Sequence, residues 1–331
     1  MEIRRSGFDF ARDRGEDSWH QEDRILTTLF LAAGVAILVT AGVWQHFRYL
    51  RVRRERLEDL QPLLYPGGAF HTVTFLKVDA ALGRDGEFAA LRALREAIEA
   101  PGGGRVVYAG LVGVNMAAST QLPNEWSAVV LAQYPSRDAF DRQCEGAEVE
   151  RVLAGCERSH VHGFRRPALL NLLIPIMLGA MRLRDVVLRR EPILPFKPLA
   201  AEDAVPPIQM KRKEILKLDD YRDIRDDAIV VVNLIQPGTA EQRAADRSYT
   251  QEMMRGMAEG GYGPMHMGAA IRVEGEHSFK HFAAVYYPGI DHMHAMVGSA
   301  FINRVGPGKQ LGDTLAVATI PVLAKLDEAT A

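Results

Sequence analysis

Six residues in the last hundred positions carry most of the chain's chemical potential. His266 and Arg272 have equal parity on a β-like run, so they share one side of it, and His281 and Tyr287 do the same on the next run. Asn233 is a polar residue inside an otherwise β-branched run, and Tyr249 falls on a helix-forming stretch. An imidazole pair, a guanidinium, an amide and two phenols can hold and orient a small apolar or aromatic ligand by its polar handle. They make no recognisable nucleophile or acid–base set. The competing account is that these are edge-of-sheet polar groups with solvated tips.

Other candidates weaken on spacing. His292 and His294 flank Met293 on a helix-like stretch, about 200° apart around the axis, so they cannot share a metal. His160-Val161-His162 could ligate if extended, but has no carboxylate or cysteine partner nearby. Cys144 and Cys156 read as lying on one helix, too far apart to bridge. No metal site is expected, and no cofactor is indicated. PGGGR (101–105) and GGYGP (260–264) follow helices, the reverse of the strand-then-helix order of phosphate loops. Asp138 and Arg137 read as a cap and ion pair at a helix start.

The elements that must position these residues recur. AIVVVNLI (228–235), a helix over 240–259 stopped by Gly260, Gly261 and Gly263, strands over 264–275 and 280–288, a helix over 289–303 and a strand over 313–323 give the order β-α-β-β-α-β. FHTVTFLKV (70–78), a helix over 86–100 stopped by PGGG, strands over 105–116 and 125–135 and a helix over 136–157 repeat it. Gly103 falls on Gly261, Gly110 on Gly268, and Tyr134-Pro135 on Tyr287-Pro288. Proline suits such a corner: it cannot donate to a ladder but fits a first helical turn. Laid on the second copy, ALLNLLIP (168–175) takes the place of the first unit's fourth strand, with IMLGAMRLRDVVLRR as a helical stretch after it that can touch a bilayer surface. At the positions of His266, Arg272 and His281 the first copy has Tyr108, Val114 and Ala128, which points to the second copy as the ligand-binding half.

Upstream, Ile25 to Trp44 is a run of twenty uncharged residues, long enough to cross hydrocarbon. The 24 residues before it hold seven acids and five arginines, unlike the basic start of a signal peptide. Arg48, Arg51, Arg53, Arg54 and Arg56 crowd its C-terminal flank, so the positive-inside bias puts the rest of the chain in the cytoplasm. Ala32, Ala36 and Thr40 form a small-residue stripe that could meet another membrane helix. The expected division is a polar tail (1–24), a transmembrane helix (25–45), a basic juxtamembrane segment (46–69), a first unit (70–182), a Pro-rich and charged linker (183–227) and a second unit (228–325).

NLI (233–235), the glycine stops before the second strand of each copy, the glycine within that strand, and YPSRDAF (134–140) resemble the family of domain of unknown function 1330. The second copy's YYPGIDHM departs from that pattern and loses the Arg-Asp pair. The resemblance covers roughly 70–175 and 228–323. It implies the dimeric α/β-barrel superfamily, which includes antibiotic-biosynthesis monooxygenases, muconolactone isomerases and chlorite dismutase-like proteins. The fold class expected is therefore α+β: two tandem ferredoxin-like units pairing as an intramolecular barrel, plus one transmembrane helix. A single four-stranded sheet with helices on one face would leave its other face bare, which argues the same way.

Composition narrows the partners. With 47% hydrophobic and 25% charged residues and a net charge of −2, the chain has no overall electrostatic case for nucleic acid. The expected partners are the lipid bilayer through 25–45, a membrane protein or a second copy of the chain, and a small apolar ligand. Two functions follow: a membrane-anchored cytoplasmic binding or assembly protein, or an oxygenase- or isomerase-like enzyme acting on a small apolar or aromatic compound in the second unit's pocket.

Overall fold

The computed structural model describes residues 13–54, 65–123, 125–144, 146–273, 275 and 278–328. The tail before residue 13, Arg56 in the basic flank, and most of the polar turn over 274–277 lie outside the described residues.

Eight strands close a barrel: β1 (Phe70–Lys77), β2 (Arg105–Ala117), β3 (Ala128–Tyr134), β4 (Arg158–Arg165), β5 (Ile229–Ile235), β6 (Pro264–Ile271), β7 (His281–Tyr287) and β8 (Thr314–Pro321). Their order around it is β1-β3-β2-β8-β5-β7-β6-β4, with antiparallel pairing between each neighbouring pair. Strands 1–4 and 5–8 therefore form two four-stranded arcs that meet at β2–β8 and β4–β6. A closed barrel leaves no edge strand exposed. Both second strands carry a register shift at matching places, between Val106 and Tyr108 and between Pro264 and His266.

Alternation sorts each strand into an inner and an outer face. Val73, Phe75, Leu131, Phe164, Val230, Val232, Phe282, Leu315 and Val317 pack the interior. Outside the first arc, α2 (Gly83–Glu99) buries Leu91, Leu94 and Ile98 against Leu76, Val130 and Ala132. Outside the second, α7 (Ala240–Gly260) starts with a capping box between Thr239 and Gln242 and ends on Gly261. Gly261 has φ +75, a conformation glycine adopts without a Cβ penalty.

Three sequence expectations need correction. The first arc's fourth strand is β4, not 168–175; residues 170–187 instead form one helix, α5 (Leu170–Val187), with Pro175 inside it. β4 has no continuous apolar stripe in the sequence, because two of its three inward residues, His160 and His162 beside Phe164, are histidines. The helix expected over 136–157 is two, α3 (Arg137–Cys144) and α4 (Ala147–Ala154), with Gly146 as the cap of the second. Cys144 ends α3 and Cys156 follows α4, so the cysteines do not share a helix; both are free. The stretch between the arcs contributes α6 (Pro206–Ile215), whose Ile208 and Ile215 are buried. Beyond β7 come α8 (Ile290–Val297) and α9 (Ala300–Val305).

One helix among the described residues, α1 (Asp13–Arg54), is long and apolar enough over Arg24–Tyr49 to cross a membrane. Its end is fastened to the barrel. A Cβ on Gly179 of α5 would sit 2.6 Å from the Ala41 carbonyl oxygen, and one on Gly42 would sit 2.7 Å from the Ile176 side chain. The two backbones approach this closely only because both positions are glycine. Gln45 Nε2 donates to the Ala258 carbonyl (3.2 Å), Arg48 to the Ala258 and Glu259 carbonyls, and the Tyr49 hydroxyl to the Pro264 carbonyl (2.9 Å). Arg48 thus places positive charge on the C-terminal end of α7, the favourable end for a cation.

Candidate functional site

A cavity of about 190 Å³ lies between α7 and the outer face of β5, β6 and β7. Its lining explains why it is open. The strands present Val231, Ala283 and Val285, which are short, and α7 presents Met253, Met254 and Met257, which are unbranched and adaptable. Asn233, Asp246, Tyr249, Tyr287 and Lys309 are the polar groups in the same wall. An adjoining space of about 60 Å³ shares Tyr249, Tyr287 and Lys309 and adds Lys211 and Met116.

Each polar group is held by a different element. Asn233 on β5 donates Nδ2 to the Val231 and Ala283 carbonyls (3.1 and 3.2 Å), leaving Oδ1 as its acceptor. Tyr249 stands one turn before Met253 on α7, and Tyr287 ends β7 at the Tyr-Pro corner. At that corner Gly289 has φ +106, and a Cβ there would sit 2.6 Å from the Asp226 carbonyl oxygen, so glycine is required. Lys309 follows a short turn after α9 that crosses the N-terminal half of α7, where a Cβ on Gly308 would touch the Tyr249 Cβ at 3.5 Å.

The electrostatics favour proton exchange. Burial, aided by the neighbouring Lys211 charge, lowers the Lys309 amine to about 8; Asp246 offsets part of this. Burial raises the Asp246 carboxyl, with Lys309 opposing the shift. Burial and the Asp246 charge push the Tyr249 phenol up, and Tyr287 goes well up for the same first reason. At neutral to mildly alkaline pH the cavity therefore offers a lysine near its titration point beside phenols that stay protonated. That is an acid–base arrangement in an apolar chamber.

A wider groove of about 530 Å³ joins this cavity through Ile235, Asp246, Met267, Ala283 and Leu311. His281 lies in it, with Arg243 and Arg247 from α7 and Leu170 from α5. Elsewhere, the cleft at Arg190, Glu191, Lys197 and Glu252 is lined by charges that pair with one another, as in Lys197–Glu191 at 2.6 Å and Arg255–Glu252 at 2.9 Å.

Of the six residues expected to bind a ligand, Asn233, Tyr249 and Tyr287 line the cavity and His281 lines its outer groove. His266 does not belong with them. It points inside the barrel, fully buried, where its Nδ1 accepts from Arg166, which also donates to Asn171 Oδ1. The side of β6 that carries His266 pairs with the inward residues Ala284 and Phe282 of β7, so it faces the barrel interior and not α7. Arg272 lies past the end of β6 and is exposed. His292 and His294 point to different partners, His292 to Tyr262 and Phe196, His294 to the Ile215 carbonyl. Among the described residues no group of three or more His, Cys, Asp or Glu is placed to hold a metal ion.

Sequence reasoning missed Lys309, Asp246 and Lys211, which come from a turn and two helices far apart in the chain and carry no local signal. It also missed the polar interior of the first arc. His71, His160 and His162 are all buried there, with His71 stacked on Phe164 (5.2 Å) and Phe164 on Phe282 (4.0 Å). The alternation of HTVTF and SHVHGF put all three histidines on one side of their strands, which was the available signal.

No family model and no curated protein matches the chain. Solved structures do show likenesses. A mutant chlorite dismutase from Candidatus Nitrospira defluvii is 10% identical with a TM-score of 0.42, over 80% of this chain and 97% of that one. A dye-decolorizing protein from V. cholerae is 13% identical with a TM-score of 0.39, over 80% and 97%. An anthrone oxidase-like protein is 11% identical with a TM-score of 0.40, over 78% and 92%. The class of fold rests on this chain's own strand order, a closed eight-stranded α/β barrel with its helices outside.

Proposed function

We propose that this chain is a membrane-anchored enzyme that moves a proton on a small apolar or aromatic compound bound between α7 and the sheet. The observation that carries this is the cavity itself: methionine and aliphatic walls, with Lys309, Tyr249 and Asn233 gathered in them. In this reading the apolar body of the substrate fills the methionine side. Tyr249 donates a hydrogen bond to a carbonyl or phenolic oxygen. The neutral Lys309 amine takes a proton from the carbon α to a carbonyl, the electron pair moves onto the oxygen that Tyr249 hydrogen-bonds, and the ammonium returns the proton to another carbon of the enolate, an isomerase-like shift that leaves the atom balance unchanged. A sheet face filled by aliphatic side chains would instead have favoured an assembly role. Here a cavity stands over that face, and Tyr249, Tyr287 and Lys309 reach into it.

Heavy water tests this. Purified full-length protein is incubated with an extract of its native membranes in deuterated buffer. Wild type is expected to place deuterium in an apolar compound, and Lys309→Met to lose this activity by at least about tenfold. The same deuterium pattern with both proteins would sink the enzyme reading.

The architecture belongs to the same reading. The matching bulges and Tyr-Pro corners support a tandem of two ferredoxin-like units paired as an intramolecular dimeric barrel. The apolar helix supports a single-pass anchor, and its arginine-rich flank a cytoplasmic barrel. A reporter fused to the C-terminus that reads as external would reverse that orientation.

A further inference from the structure

We infer that the ligand is an amphiphilic carboxylate that enters the cavity from the bilayer through the groove between α5 and α7. This deepens the pocket reading and rests on it. Two features of the groove point to such a ligand. Its polar side carries Arg243 and Arg247, four residues apart on α7 and so on one face, together with His281. All three are exposed, and Arg243 Nη1 spends one donor on the Gly238 carbonyl (2.9 Å). Guanidinium pairs of this kind suit a carboxylate head, which they can grip with two hydrogen bonds each. The one opposing charge, Asp246, sits at the junction with the inner cavity, where Lys309 faces it. An anionic head is thus favoured in the outer groove and an apolar body in the inner chamber.

The second feature is where the groove opens. Leu170 and Pro167 form its other side. Leu170 begins α5, and the neighbouring Leu169, Leu172, Leu173 and Met177 are exposed apolar side chains. Ile176 lies against Gly42, inside the apolar span Arg24–Tyr49. Six residues separate Ile176 from Leu170, about 9 Å along the helix. The mouth therefore opens beside apolar surface continuous with the membrane-spanning helix, the surface a lipid-dissolved ligand would cross.

The test uses full-length protein in phosphatidylcholine vesicles with three fluorescent probes: cis-parinaric acid, its methyl ester, and uncharged diphenylhexatriene. Wild type is expected to bind the acid more tightly than the ester. Replacing both arginines (Arg243→Ala, Arg247→Ala) should weaken the acid about tenfold and the ester less than about twofold. Leu172→Gln with Leu173→Gln should slow transfer from vesicles about tenfold while leaving affinity in detergent within about twofold. Equal binding of acid and ester, indifferent to the arginines, overturns the carboxylate. Unchanged transfer in the leucine variant overturns the bilayer route. If those results come while Ala283→Phe still abolishes diphenylhexatriene binding, the pocket stands and only this inference falls. If no probe binds wild type, both fall. Thermal melting of each variant shows whether it is folded.

Discussion

At the scale of single residues, the barrel interior holds a group whose cost is measurable. His71 is buried, and neither of its ring nitrogens has a hydrogen-bond partner. Burial first, and the Arg166 charge second, lower it to about 3. The folded protein therefore keeps His71 neutral while the unfolded chain protonates it as pH falls below about 6.5. Its stabilising effect is complete above that value and is lost as pH falls towards 3, a difference of the order of 5 kcal/mol. His71→Phe keeps the stack on Phe164 and removes both unpaired nitrogens. It should leave melting at pH 7 equal or higher and flatten the decline between pH 6.5 and 4, as read by calorimetry across pH. An unchanged decline would show that other groups drive acid unfolding. Residues of this kind were half legible. The parity of the first arc's histidines marks an inner face, but no sequence pattern says that the face closes into a barrel.

At the scale of elements, the crossing of α1 and α5 decides whether α1 is a loose tether or part of the folded body. Gly42 and Gly179 let the backbones touch, and Gln45, Arg48 and Tyr49 fix the helix end to α7 and β6. Gly179→Val would drive a side chain into the Ala41 carbonyl and should cost roughly 1–3 kcal/mol or release α1. The check is a Trp44 fluorescence shift together with a lower melting temperature; no change in either would mean the contact is incidental. The elements themselves were largely readable: seven of the strands, α2, α7 and the Tyr-Pro corners follow from periodicity and glycine stops. β4 and α5 were not. β4 hides its apolar face behind histidines. α5 is apolar nearly all round because one side packs on the barrel and α1 while the other stays exposed, so strand and helix patterns could not be told apart.

For the whole molecule, the two arcs close one barrel, and the site lies outside it, under α7. That placement explains why three of the six sequence-chosen residues meet in the cavity and two do not. Asn233 and Tyr287 face outward from the sheet and Tyr249 meets them from α7, while His266 lies on the inward side of β6 and β6 ends before Arg272. The partners that complete the site, Lys309 and Asp246, reach it only through tertiary packing. The proposed function requires this cavity to hold a small apolar compound. The most direct measurement is mass spectrometry of small molecules that remain with full-length protein purified from its native membranes, wild type beside Ala283→Phe. Ala283 lies where the outer groove meets the cavity, and a ring there would fill the passage. An apolar compound is expected on wild type and not on Ala283→Phe, with both proteins melting as folded. The same compound retained equally by the two, or none retained by wild type, would contradict it.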